Sequence, residues 1–85
     1  MKRLIEDDGK GVLVEMIGHR LTFFCMNYIY TGMLTSVNET CLLLTDPSIV
    51  YETGAFTEKA WADAQKLPDD LYVMLSAVES FGKVK

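Results

Sequence analysis

Long apolar runs are absent from this sequence, and so is the beginning of a secretion signal. The longest unbroken apolar run, residues 71–75, has five members, whereas a transmembrane helix needs about 20. Near the start of the chain, Lys2 and Arg3 are followed by acidic residues rather than by an apolar stretch. A cleaved signal peptide is therefore not expected, and neither is contact with a membrane.

Histidine and cysteine are scarce. His19 is the single histidine, and Cys25 and Cys41 lie 16 positions apart within apolar runs. Without a Cys-x-x-Cys pair a zinc site is not expected, and buried free thiols are typical of a reducing compartment, so we expect a cytoplasmic location. No general base is found near a nucleophilic side chain, and no glycine-rich phosphate-binding loop occurs. The sequence therefore predicts no catalytic residue, no metal, no cofactor and no enzyme activity.

Basic residues are missing from the middle of the chain. No Lys or Arg occurs between Leu21 and Glu58, and the whole chain has 8 Lys and Arg against 12 Asp and Glu, a net charge of −4. Phosphate groups are usually bound by Lys and Arg. A nucleic-acid contact in this central stretch would therefore rest on stacking, on hydrogen bonds, or on basic residues nearer the chain ends.

Apolar residues, in contrast, are plentiful. They make up 49% of the 85 residues, which excludes a disordered protein, and the length predicts one domain over residues 1–85. A domain of this size buries only about 60% of the surface of its unfolded chain. We therefore expect part of the apolar surface to contact another subunit.

Turn residues separate short apolar stretches along most of the chain. Residues 1–10 are polar and predict a loose arm, and residues 12–17 fit either a strand or an amphipathic helical turn. Gly32 within an extended stretch indicates a bend or a bulge, and Pro47 is compatible only with a sheet edge or a bulge. The predicted strands cover residues 21–26, 29–35, 41–45, 49–53, 71–75 and 78–81.

One clear helix is predicted, within an insertion over residues 54–70. It covers residues 57–66, with Thr57 as the N-cap, Glu58 in the first turn and Lys66 in the last turn. Trp61 with Phe56 would pin this helix onto the rest of the domain, because an isolated helix of about ten residues is marginal in water; the alternative is an exposed anchor for a partner. The spacing of the strands around this insertion indicates an all-β fold, a small barrel or a sandwich.

The stretch from Gly18 to Leu44 resembles the first sequence motif of the Sm/LSm family. That motif runs from a glycine through an apolar strand to aromatic-x-Gly-x-Leu, and then through a valine–aspartate turn into another apolar strand. Residues 71–81 resemble the second motif, and residues 54–70 fall where the family has its variable loop. The residues that match the first motif are Gly18, Leu21, Phe23, Tyr30, Gly32, Leu34, Val37, Asn38 and the run 41–44.

The resemblance implies a small, strongly bent, five-stranded SH3-like barrel, with the short helical insertion before the last two strands. It also implies a homo-oligomeric ring of about five to seven subunits, in which the edge strand of one copy pairs with that of the next. Such pairing would satisfy the exposed strand edges. The ligand that it implies is RNA or single-stranded DNA, in the processing or chaperoning of nucleic acid.

The positions that bind bases in the family carry different residues in this chain. By the resemblance they fall on Asn38, Thr40, Leu42 and Leu75. Only Asn38 keeps a comparable capacity for hydrogen bonding. The family's usual uridine pocket is therefore not expected in its ordinary form.

Four residues remain as candidates for nucleic-acid binding. Asn38, Glu39 and Thr40 would line a ring pore, and Arg20 would contact a phosphate. The alternative for residues 38–40 is an ordinary polar turn, and for Arg20 it is a solvated hairpin end.

Two functions are compatible with these residues. The first is a ring that binds RNA or single-stranded DNA, with Tyr28, Tyr30 and Tyr51 as possible stacking platforms. The second is a protein-interaction or structural ring without nucleic acid, in which those tyrosines pack half-buried against the barrel. The acidic balance and the altered pocket positions favour the second function, whereas the resemblance favours the first.

Overall fold

A computed structural model describes residues 10–85, which form one short helix and six strands. The loose arm predicted for residues 1–10 lies outside the described residues, except for Lys10, which begins the helix. A single 3-10 turn, Leu75–Ala77, joins the last two strands. The elements are α1 (Lys10–Glu15), β1 (Arg20–Cys25), β2 (Ile29–Val37), β3 (Cys41–Glu52), β4 (Asp63–Lys66), β5 (Leu71–Met74) and β6 (Val78–Gly82).

Helix α1 and the turn at residues 16–18 resolve the ambiguity over residues 12–17 in favour of a helical turn. Leu13 is buried in the core and Met16, three residues later, packs against it, which is the spacing of one helical face. Gly18, with φ of 95°, ends the turn that follows, and its N–H donates to the Leu34 carbonyl at 2.7 Å. Six residues are too few for a stable isolated helix, so packing on the core supports α1. No helix within residues 10–85 has the length and apolar character that a membrane crossing requires.

The strands form one antiparallel sheet in the order β4-β3-β2-β1-β6, and β5 also pairs with β3. Strand β3 spans 12 residues. Its first part pairs with β5 and its second part with β4, while β2 pairs along its other side. The buried apolar core consists of Leu13, Leu21, Phe23, Leu34, Leu42, Leu44 and Val73.

A bulge interrupts the pairing of β2 with β3 and bends the sheet. The register changes from Thr31 opposite Ser48 to Met33 opposite Thr45, so that Gly32 faces two residues, 46 and 47. Asp46 has a positive φ of 53°, a conformation that Asp tolerates better than most residues. The expectation of a bend at Gly32 and a bulge at Pro47 is thus confirmed.

The prediction of a helix over residues 57–66 is wrong. Residues 57–62 form turns and bends, and residues 63–66 form strand β4. Strand β4 pairs with the second part of β3, with Ser48 opposite Lys66 and Val50 opposite Ala64. These ladder hydrogen bonds satisfy the backbone on both strands, whereas a short helix would have left this side of β3 unpaired.

The sheet has six strands, one more than the five that the resemblance implies, because β4 and β5 are separate strands that pair with different parts of β3. Leu67 and Pro68 lie between β4 and β5, and Pro68 has no N–H to give to a ladder. The Leu67 N–H donates to the Pro47 carbonyl at 2.9 Å. The junction between β4 and β5 is therefore fixed at the bulge, where β3 itself bends.

Replacement of Gly32 tests the importance of this close approach. A Cβ at residue 32 would lie 3.2 Å from each of three atoms, the Leu44 Cβ, the Pro47 Cα and the Thr45 carbonyl oxygen. Two of these are backbone atoms that cannot move aside cheaply. We expect Gly32→Val to destabilise the fold by about 1–3 kcal/mol and to lower the melting temperature by at least roughly 4 °C, measured by circular dichroism.

Gly82→Val is the matched control for this measurement. A Cβ at Gly82, also in a strand, meets no atom of its own chain within 4 Å, so Gly82→Val is expected to lower the melting temperature less than Gly32→Val does. Protein concentration is held constant throughout, since assembly would shift apparent stability. Equal melting temperatures for the two variants would contradict the role assigned to Gly32.

Candidate nucleic-acid interface

The turn between β2 and β3 is organised by the side chain of Asn38. Its Oδ1 atom accepts hydrogen bonds from the Thr40 N–H at 2.8 Å, the Thr40 hydroxyl at 3.2 Å and the Cys41 N–H at 2.9 Å. The Asn38 N–H donates to the Cys41 carbonyl at 2.9 Å. Asn is favoured here because its short amide can bond to nearby backbone. Asn38, Glu39 and Thr40 are all exposed.

This arrangement limits what Asn38 can offer to a ligand. The Oδ1 atom is committed to the turn, whereas the Nδ2 group makes no hydrogen bond among residues 10–85. Asn38 can therefore donate to a ligand more readily than it can accept from one.

The other two positions at which the resemblance placed base contacts are apolar and belong to the core. Leu42 is 1% exposed, and Leu75 packs half-buried against the same core. The Leu75 N–H donates to the Thr40 carbonyl at 2.9 Å, so the turn at 75–77 lies beside the turn at 38–40. The fold therefore brings the two turns together, but Leu42 and Leu75 add no polar side chain to that of Asn38.

A pocket of about 110 Å³ opens beside the 38–40 turn. Tyr72 forms one side of it and is 68% exposed. Tyr72 pairs with Leu43 across the β3–β5 ladder. The pocket is lined by Ser36, Val37, Asn38, Cys41, Leu42, Leu43 and Tyr72.

Sequence reasoning did not single out Tyr72. Strand residues alternate between the two faces of a sheet, so the buried Val73 places Tyr72 and Met74 on the outward face. That alternation was available in the sequence. What the sequence does not show is that β5 lies beside the 38–40 turn.

Arg20 lies apart from this turn and already has an acidic partner. Its Nη2 donates to the Asp46 carbonyl at 3.1 Å, and its Nη1 lies 3.6 Å from the Asp46 carboxylate. Lys66 reaches the same carboxylate at 3.1 Å. The hydrogen bond and charge of Lys66, and then the charge of Arg20, hold the pKa of Asp46 below its ordinary value.

The distance along β2 separates Arg20 from the candidate turn. Arg20 pairs with Met33, five residues before Asn38, which corresponds to about 16 Å of extended chain. The structure therefore unites Asn38, Glu39 and Thr40 but does not bring Arg20 to them. A phosphate at Arg20 would also have to compete with Asp46.

The three candidate tyrosines gather at the opposite end of β2. The ring centroids of Tyr28 and Tyr30 are 6.1 Å apart, and Tyr30 packs half-buried against the core. Burial, followed by the proximity of Cys25, Tyr28 and Tyr51, raises the pKa of Tyr30. Tyr28 and Tyr51 are about half exposed, at 50% and 51%, so they leave ring surface open to solvent.

The described residues contain no cluster of three or more metal-binding side chains. Burial, followed by the nearby charge of Glu79, raises the pKa of the Cys25 thiol, which disfavours the reactive thiolate. The chemistry that the site offers is therefore hydrogen bonding at the 38–40 turn and stacking on Tyr72.

Substitution of Asn38 tests whether its side chain holds the turn. Asn38→Ala removes an acceptor used by two backbone N–H groups, and a hydrogen bond of this kind contributes about 0.5–1.5 kcal/mol. We expect a loss of roughly 1 kcal/mol in the free energy of unfolding by urea. Asn38→Asp keeps the acceptor and is expected to retain most of the stability. Equal losses in the two variants would show that the Oδ1 bonds do not support the turn.

Comparison with known proteins finds similarity in fold but no significant match in sequence. No protein-family model matches the sequence, and no curated protein matches it significantly. A heptameric archaeal Sm protein, discussed for its implications for the eukaryotic snRNP core, superposes with a TM-score of 0.67 at 18% identity, over 88% of this chain and 98% of its own. The P. aerophilum SmAP1 heptamer superposes with a TM-score of 0.68 at 18% identity, over 89% of this chain and 92% of its own. At this identity the likeness concerns the backbone, and the chain has the Sm-like fold that its sequence resemblance implied.

Proposed function

We propose that the protein is a subunit of a homo-oligomeric ring that binds single-stranded RNA or DNA beside the 38–40 turn. The observation that carries the proposal is the set of strand edges left open within residues 10–85. There β6 pairs only with β1, and β4 and β5 each pair only with β3.

Open strand edges are unfavourable in a soluble protein. Each presents unpaired N–H and C=O groups that template pairing with another chain. Beside the edge of β5, Met74 is 54% exposed, which adds apolar surface to the unpaired backbone. Pairing β5 of one copy with β6 of the next would satisfy these two edges and cover part of this surface.

Such contacts are head-to-tail, because two different edges meet. Head-to-tail contacts give a ring when the rotation between subunits closes, and a filament when it does not. Both similar structures are heptamers of Sm proteins, which supports closure for a chain with the same fold. We propose a ring of about five to seven subunits, in a reducing, cytoplasmic compartment.

The proposed nucleic-acid contact uses stacking more than charge. Tyr72 offers an exposed ring beside the pocket, and a base stacked on an aromatic side chain gains about 1–3 kcal/mol. The Asn38 Nδ2 group could donate to a base carbonyl, and the ring would repeat this small site once per subunit. Repetition raises the overall affinity when one strand reaches several sites.

A ring without nucleic acid is the second candidate, and one observation favours it. No Lys or Arg occurs between Leu21 and Glu58. Arg20, which directly precedes this stretch, and Lys66, which lies eight residues beyond its end, both contact the Asp46 carboxylate. Stacking without cationic support gives little of the phosphate attraction on which nucleic-acid affinity usually rests.

Solution mass tests the ring. Light scattering at micromolar concentration is expected to give several times the single-chain mass of 9.6 kDa. Met74→Lys, which places a charge beside the β5 edge, is expected to lower that mass. Val14→Lys is the control, because Val14 is equally exposed, at 52%, but belongs to helix α1 and not to a strand edge. A wild-type mass near 9.6 kDa would contradict the proposal.

Oligonucleotide binding separates the two candidate functions. Labelled oligouridine and oligothymidine are titrated at low salt, about 50 mM, with fluorescence anisotropy as the readout. We expect Tyr72→Ala to weaken binding by roughly 5- to 150-fold and Tyr72→Phe to preserve it, because the ring is retained. Tyr28→Ala, at the far end of β2, is the control.

The solution mass of each variant is measured in parallel, so that loss of the ring is distinguished from loss of stacking. An intact wild-type ring that binds neither oligonucleotide at low salt would establish the second function instead of the first.

A further inference from the structure

The loop between β3 and β4 holds a lysine from the far end of the sequence. The Lys85 Nζ atom lies 4.7 Å from the centroid of the Trp61 ring and 5.6 Å from that of Phe56. The two rings are nearly perpendicular, at 87°, with centroids 6.5 Å apart. Lys85 therefore sits at the corner formed by two aromatic surfaces.

The backbone of the same loop completes the site. The Lys85 Nζ donates to the Thr53 carbonyl at 2.6 Å and to the Ala60 carbonyl at 2.9 Å. An alkylammonium group has three N–H donors, and these two carbonyls accept two of them. We call the two rings and two carbonyls, from Thr53, Phe56, Ala60 and Trp61, the aromatic cage.

Local geometry shapes the loop independently of Lys85. Gly54 has a positive φ of 70°, and a Cβ there would lie 3.2 Å from the Ala62 Cβ, so the two arms of the loop approach closely. The Glu58 N–H donates to the Ala55 carbonyl at 3.0 Å. These contacts form the turn from which both Phe56 and Trp61 project.

The charge around the loop also favours a cation. Glu52, Glu58 and Asp63 lie in or beside it, against one basic residue, Lys59. Aromatic faces attract cations through the negative charge of the ring face, and backbone carbonyls add oriented acceptors. The loop thus presents four groups suited to one positive charge.

We propose that the aromatic cage is a binding site for a primary alkylammonium ion, the side-chain group of lysine, and that Lys85 fills it within the same chain. A lysine of a partner polypeptide would enter when Lys85 leaves. Each N-methyl group removes one N–H donor, so a quaternary ammonium ion loses both carbonyl hydrogen bonds. The site accordingly prefers a primary over a quaternary ammonium, the reverse of cages built from rings alone.

All groups of this site lie in one chain, and none of them lines the pocket beside Asn38. The site also carries its own reporter, because Trp61 is the single tryptophan in the sequence. Changes in tryptophan emission therefore report on the aromatic cage directly.

The first experiment compares Trp61 emission in the full-length wild type, Lys85→Ala and Lys83→Ala. We expect a shifted emission only in Lys85→Ala, since Lys83 is exposed on the same segment. Lys85→Met, which keeps an apolar stem without the charge, is expected to shift the emission as well. Far-UV circular dichroism checks that each variant is folded, and either folded Lys85 variant suffices for the comparison.

The second experiment titrates the opened aromatic cage with n-butylammonium chloride. We expect a saturable, millimolar response in Lys85→Ala that moves Trp61 emission back toward the wild type. A weaker response is expected in the wild type and in Lys83→Ala, because Lys85 competes at high effective concentration. Butyltrimethylammonium chloride and sodium chloride at equal ionic strength are expected to give at least fivefold weaker responses. The substitution Phe56→Ala in the Lys85→Ala background is expected to weaken the butylammonium response.

Two results would overturn the proposal. One is an emission spectrum that is the same in the wild type and in a folded Lys85 variant, which would show that Lys85 does not occupy the aromatic cage. The other is an equal response to the primary and the quaternary ammonium ions, which would show that the two carbonyls do not select the ligand.

Discussion

The close approach of Gly32 to the bulge at Asp46 and Pro47 is the constraint on which the other features depend. It bends the sheet at the middle of β3, so that β3 pairs with β5 before the bulge and with β4 after it. The bend lets a domain of 85 residues surround a core of seven buried apolar side chains. It also sets the 38–40 turn beside β5, where the candidate site lies.

Within residues 10–85 the barrel is not closed, because β5 and β6 do not pair with each other, and part of the apolar surface lies beside the open edge of β5. The core uses leucine, phenylalanine and valine side chains that point inward, whereas Tyr72 and Met74 on β5 point outward. An open edge beside exposed apolar residues is an aggregation hazard unless another chain covers it. The same surface is therefore the strongest physical argument for a closed assembly, and assembly would complete what the single chain leaves unpaired.

The candidate ligand site is organised more for shape than for specific recognition. Asn38 commits its Oδ1 to the turn, and Leu42 and Leu75 belong to the core. Polar groups that could read base edges are few, and stacking on an aromatic ring is tolerant of sequence. A protein with this site would bind single-stranded nucleic acid with little preference for particular bases. Its affinity would rest on repetition of the site around a ring.

Local sequence was sufficient for the features that depend on neighbours along the chain. Gly32, Pro47 and Asn38 predicted the bend, the bulge and the turn, because backbone freedom, a missing N–H and a short amide act within a few residues. The final strands were found in the same way. Together with the spacing of the motif residues, these features were enough to predict the barrel.

The tertiary structure decided whatever depended on partners distant in sequence. Residues 63–66 have helical capping signals nearby, yet they form β4, because the free side of β3 offers hydrogen bonds that a short helix cannot match. Arg20 meets Asp46 across 26 residues, and Lys85 reaches the Thr53 carbonyl across 32. Periodicity and capping describe only what a residue does with its neighbours, so the pocket at Tyr72 and the aromatic cage emerged only when the folded sheet brought distant segments together.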